Sequence, residues 1–86
     1  PNPYQPARDP FLRFSGVPLF SRLRLFRSGG EQVWLGFEED QGQTSHEIHW
    51  QGVNTAGYAV SPGIYIYDLR SFEGALLERG KIAVVR

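Results

Sequence analysis

Glycine and proline interrupt this chain so often that an ordinary helix has almost nowhere to form. Ten Gly and six Pro are spread over 86 residues. Inside a helix a Gly costs about 1 kcal/mol and a Pro about 3 kcal/mol relative to Ala. The longest window that reads as helical, FEGALLERG at 72–80, is short and carries Gly74. It reads better as one arm of a hairpin. The chain must therefore build its core from short strands.

Strand signals recur at close spacing, with turn residues between them. PNPYQPARDP is an extended, proline-stiffened lead-in. FLRF at 11–14 is a short strand, broken by SGVP. SRLRLFR at 21–27 alternates cleanly, with Leu23 and Leu25 on one face and Arg22 and Arg24 on the other. SGGE is a tight turn, and QVWLGF at 32–37 returns as the hairpin partner. EEDQGQT is a polar loop. SHEIHW at 45–50 follows, with His46, Ile48 and Trp50 expected on one face. GIYIYDLRS at 63–71 is the most apolar strand. Tyr65, Tyr67 and Leu69 share one face. Ile64, Ile66, Asp68 and Arg70 share the other, which turns polar towards its end. KIAVVR at 81–86 closes the chain, antiparallel to its predecessor through a 72–80 connection.

Six or seven short strands with turns at regular spacing imply an all-β, antiparallel sandwich of about seven strands. No βαβ period is present, so a parallel sheet is not expected. The length allows one domain, residues 1–86, with one modest core.

Charge narrows the partners. The formal net charge is zero, so no long-range field draws the whole domain to nucleic acid or anionic lipid. The distribution is uneven: residues 1–30 carry five Arg and one Asp, and residues 31–50 carry five acids and no Lys or Arg. No apolar run approaches the roughly 18 residues that span a bilayer, so membrane insertion is not expected. The chain has no cysteine, which excludes disulfides and thiolate metal sites. It also has no methionine and begins at Pro1, which leads to the expectation of a module belonging to a larger protein.

Four stretches fall in a recognisable order: PNPY at the start, LRLFRSGGEQV at 23–33, IHWQGVNTAGYAVSPGIYIYDLR at 48–70, and GKIAVVR at 80–86. With them the chain resembles the Ig-like domain family that includes the flagellar hook-cap Ig-like domain and the C-terminal sorting domains of the type IX secretion system. The matching positions are Pro1, Asn2 and Pro3, the turn residue Gly30, Trp50 and Gly52 of a Trp-x-Gly, Gly57, Gly63 and Tyr65 of the Gly-x-Tyr strand start, and Gly80 with Lys81 at the last strand. Two positions depart from the pattern: Arg27 and Gln51 stand where the family often has Asp. The resemblance implies an Ig-like or fibronectin-III-like fold. It also implies a non-catalytic C-terminal module of an exported bacterial protein, reaching the cell surface or the medium through the periplasm. Its partners would be secretion or surface-attachment proteins and the domains of its parent chain. Two alternatives stand beside that reading. One is a structural assembly module acting through Arg22, Arg24 and Phe26. The other is a polysaccharide-binding accessory module using exposed Tyr4, Trp34, Tyr58 or Phe72.

Catalytic and metal signals are weak throughout. His46 and His49 lie three apart, on opposite faces of a strand, so they cannot share one ion. EED at 38–40 lacks the spaced oxygens of a calcium loop and reads as a solvated turn. No serine has a nucleophile-elbow context, and SGGE lacks the lysine and spacing of a phosphate loop. No enzyme activity and no cofactor are expected. Lys81 with Asp68 is a candidate isopeptide pair only if the strand register allows it. The stretch from Trp50 to Tyr67 reads mainly as a corner: Trp50 buried with its indole N–H in need of a partner, Asn54 capping a turn, Gly63 passing under Trp50. A ligand loop ringed by Trp50, Tyr58 and Tyr65 is the functional alternative.

Overall fold

The computed structural model describes residues 2–40 and 46–86. Among these residues six strands form: β1 (Leu12–Ser15), β2 (Arg22–Arg27), β3 (Gln32–Phe37), β4 (Glu47–Trp50), β5 (Gly63–Arg70) and β6 (Leu76–Val84). One 3-10 turn, Glu38–Asp40, follows β3. β1 and β4 pair antiparallel as one sheet, and the other has the order β3-β2-β5-β6. This is an all-β antiparallel sandwich with six strands among the described residues, in keeping with the expectation of about seven.

Strand alternation sets which side chains face inward. On β2 the buried residues are Leu23 and Leu25; on β5 they include Tyr65 and Leu69. The two strands are in register, Leu23 against Leu69 and Leu25 against Tyr67. From the facing sheet come Leu12, Ile48 and Trp50. Trp50 is completely buried and meets Tyr65 edge-on at 6.0 Å and Trp34 at 6.4 Å between ring centres. Truncating such a side chain to Ala costs about 3–5 kcal/mol.

Four expectations are corrected. The last strand begins at Leu76 rather than 81, because a turn closed by the Ser71 N–H donating to the Ala75 carbonyl, and by the Gly74 N–H donating to the Ser71 carbonyl, ends the connection early. The 72–80 stretch is thus a hairpin arm, as its composition favoured. Tyr4 is fully buried, since the lead-in folds back onto the sandwich. Trp34 is partly buried against the core, its ring lying over Gly36 of the same strand. His46 precedes β4 in a left-handed conformation (φ 66°) and is exposed, so it does not share the inner face with Ile48 and Trp50.

Candidate functional site

The matched sequence positions are scattered along the chain, and the fold gathers several of them, Asn2, Trp50, Gly52 and Lys81, at one corner. Asn2 grips β6 with both ends of its amide: Nδ2 donates to the Lys81 carbonyl at 3.1 Å, and Oδ1 accepts the Ala83 N–H at 3.1 Å. The Asn2–Pro3 peptide is cis. Tyr4 continues the edge, donating its N–H to Ala83 (2.7 Å) and accepting from Val85 (2.9 Å). It bridges Val84 in parallel. Its ring packs 5.8 Å from that of Trp50.

The corner from Trp50 onward is closed by its own hydrogen bonds. The indole Nε1–H of Trp50 donates to Val53 O at 2.7 Å. Val60 N–H bonds to Gly52 O, and Asn54 Oδ1 accepts Tyr58 N–H at 3.0 Å. Gly52 sits at φ 76°, and a Cβ there would press on Pro6 and the Tyr4 ring. This is why a side chain is not tolerated between the tryptophan and the lead-in. Arg86 stitches the loop to the last strand, donating to Val60 O at 3.0 Å and Gly52 O at 3.2 Å. The Tyr65 hydroxyl donates back to Ser61 O, four residues upstream. Trp50 and Tyr65 are therefore core, and Tyr58 alone of the supposed ring stands in solvent. Gly63 does not pass beneath Trp50; nothing lies near the position of its missing side chain. Gly30 and Gly57 occupy separate turns, and Gly80 lies opposite Tyr67. Pro1 lies outside the described residues.

The outer face of the larger sheet is the second candidate. Arg22, Arg24 and Phe26 do share it, but two of the three are engaged. Arg22 donates to Phe72 O at 3.0 Å. Arg24 grips Asp68 with two hydrogen bonds, one of them Nε to Oδ1 at 2.9 Å, and its guanidinium lies 5.0 Å from the Phe26 ring centre. Arg70 reaches the same carboxylate. Asp68, read from the sequence as part of a polar outer face, is buried at 2% exposure beneath these arginines. The Arg24 hydrogen bonds hold its carboxyl below the usual carboxylate range against the opposing cost of burial.

The expected EED solvated turn is also corrected. Glu38 is buried and accepts the backbone N–H groups of Phe20 and His46. His49 stacks on Phe11 at 4.2 Å and bonds to Glu47, while His46 faces Val17 O. Among the described residues no three His, Asp or Glu side chains gather to hold a metal. Lys81 lies opposite Ile66, and Asp68 lies opposite Arg79. The carboxylate that an isopeptide bond would need is already committed to arginine. Sequence reasoning missed Glu38 and the Asp68 cluster, because both are completed by residues far away in the chain.

The topology places β1 and β4 as strands B and E, and β2, β3, β5 and β6 as C, C′, F and G, with Asn2–Tyr4 beside G. Together with the tyrosine tied back at the start of β5, this defines an Ig-like sandwich. Over its whole length the chain superposes on part of PorZ, described as an essential bacterial surface component of the type-IX secretion system of the human oral-microbiomic Porphyromonas gingivalis, with a TM-score of 0.75 and 17% identity. The chain spans 11% of that protein's length. No family model and no curated protein sequence matches it.

Proposed function

We propose that the chain is a non-catalytic sorting and surface-attachment module of an exported bacterial protein, of the kind handled by type IX secretion. The observation that carries this reading is the whole-length likeness in fold to part of PorZ. The convergence of Asn2, Trp50, Gly52 and the last strand at one corner supports it, since these are the positions on which the sequence resemblance rests. The non-catalytic reading is supported by the use of the aromatics: Tyr4, Trp50 and Tyr65 are spent on the core rather than on a surface site. The partners are secretion or attachment proteins and the neighbouring domains of the parent chain.

The last strand is not a detachable tag in this reading. Ile82 and Val84 are core, and Arg86 holds the corner. Deleting residues 80–86 would unfold the domain, and lost export would then say nothing about recognition. The informative experiment adds the intact module to a passenger with an export signal. The passenger should reach the cell surface in a bacterium with a type IX system. A folded fusion that stays in the periplasm contradicts the proposal.

An assembly role is the second reading, favoured by an exposed apolar pole. Leu19, Phe20 and Phe72 are 55%, 49% and 65% exposed, and the two phenyl rings meet at 6.1 Å. Self-association in sedimentation experiments would support it. The polysaccharide reading has less to draw on: Tyr4 is buried, and the exposed Tyr58 and Phe72 flank opposite ends of β5.

A further inference from the structure

The outer face of the β3-β2-β5-β6 sheet concentrates positive charge that the neutral chain does not show as a whole. Register places Arg22, Arg24, Arg70, Arg79 and Lys81 on that face with a single acid, Asp68. Five cations against one carboxylate leave the face at +4, and the rest of the chain, whose total is zero, at −4. Asp68 is shared by Arg24 and Arg70. Among the described residues, Arg79 and Lys81 have no carboxylate partner; both are exposed. Between them and β2 lies a shallow hollow of about 250 Å³, floored by Ile66 and Phe26 and rimmed by Arg24, Arg27 and Arg79. Ile64 and Leu35 lie on the same face, 49% and 36% exposed.

We propose that this face is a docking surface for an acidic, apolar-containing segment of a partner protein. A carboxylate of the segment would pair with Arg79 and Lys81, and its apolar neighbour would rest on Ile66 and Phe26. Arginine and aromatic residues around a desolvated centre are the composition of protein-binding hot spots. The apolar floor decides between classes of anion. A phosphate-rich polymer or a lipid headgroup would satisfy the cations but bury nothing on Ile66, Phe26, Ile64 or Leu35. The Arg24–Asp68 ion pair holds one rim of the hollow in place, across from Arg79. This proposal does not depend on the export reading, and either can fail alone.

The test is a titration of the isotope-labelled chain with a synthetic Glu-Phe-Glu-Leu-Glu peptide, followed by backbone amide shifts. The expected result is shifts centred on Arg24, Phe26, Ile66, Arg79 and Lys81. Binding should weaken as salt is raised, and the Lys-Phe-Lys-Leu-Lys peptide should give no such response. An R79E/K81E double variant, whose spectrum away from this face should be unchanged, should bind at least about tenfold more weakly. Shifts confined elsewhere, or equal binding by the double variant, would overturn the proposal. Tighter binding to phosphatidylglycerol vesicles or polyphosphate than to the acidic peptide, lost in the same variant, would overturn it in favour of a phosphate-binding face.

Discussion

Glu38 holds the backbone of Phe20 in a left-handed turn: its Oε1 accepts the Phe20 N–H at 3.0 Å, and Phe20 sits at φ 60°. The other carboxylate oxygen accepts the N–H of His46 at 2.9 Å, and His46 is the second non-glycine residue with positive φ. One buried side chain thus pins two strained loops. A bulky residue in this conformation persists only where its surroundings hold it.

Replacing Glu38 with Gln should lower the thermal midpoint by several degrees, because the amide turns an NH₂ towards a backbone donor. The two N–H bonds, that of His46 the stronger influence, hold the Glu38 carboxyl below the usual range. A depressed folded-state value stabilises the protein above the unfolded value of about 4.3, and that stabilisation is lost as pH falls through the folded value. Thermal melts across the acid range should therefore show a shallower acid loss in E38Q than in the parent chain.

Asp68 is the second carboxylate whose loss should be felt. Asp68→Asn leaves Arg24 and Arg70 facing each other without their shared anion. The cost should be roughly 1–3 kcal/mol, below the range for fully enclosed pairs, because the Arg24 side chain keeps 33% exposure to water. Adding Arg24→Met to D68N should recover part of that loss, as one of the unpaired cations is removed. Chemical denaturation of the two single variants and the double variant measures the coupling.

Tyr67 gives an alkaline signature. Burial, reinforced by its hydrogen bond to Glu78, pushes the phenol up to about 12. A raised folded-state value stabilises fully below the ordinary value of about 10, and the benefit is lost as pH climbs from there through the folded value. Ultraviolet titration should show one phenol ionising near pH 12. Tyr67→Phe should remove that step and flatten the alkaline loss of stability.

Among the glycines, Gly36 has the least room for a side chain. A Cβ there would overlap the Trp34 ring, which lies directly on the glycine. Gly36→Ala should cost about 1–3 kcal/mol as the indole is displaced. Gly29, with nothing within 4 Å of an added Cβ, provides the contrast: G29A should stay within about 0.5 kcal/mol of the parent. Urea unfolding of both variants makes the comparison.

The strands were legible where alternation was strong. Leu23 and Leu25 on β2, and Tyr65 and Leu69 on β5, announce the inner face by their spacing alone. The need of the Trp50 indole for a partner and the turn-capping role of Asn54 were also readable, because both are satisfied within a few residues. What escaped is completed over long distances. Tyr4 sits in a polar, proline-rich lead-in, and only its pairing with Val84 carries it into the core. Asp68 looks like a solvated strand residue until Arg24, 44 positions away, closes over it. Glu38 stands in a run of acids whose local pattern says turn, and its two partners lie in other loops. Arg22 and Arg24 share a face by alternation, but Arg70, Arg79 and Lys81 join them only through the β2–β5 and β5–β6 registers, which composition does not encode.

We propose that this fold is itself what a type IX apparatus handles. The most direct measurement places the intact module behind a fluorescent passenger with an export signal. The fusion is expressed in a strain with a working type IX system and in the same strain with the system deleted, and surface exposure is scored by protease added outside the cell. The account predicts a passenger digested on the surface of the first strain and protected inside the second. Equal protection, or equal exposure, in the two strains would contradict it.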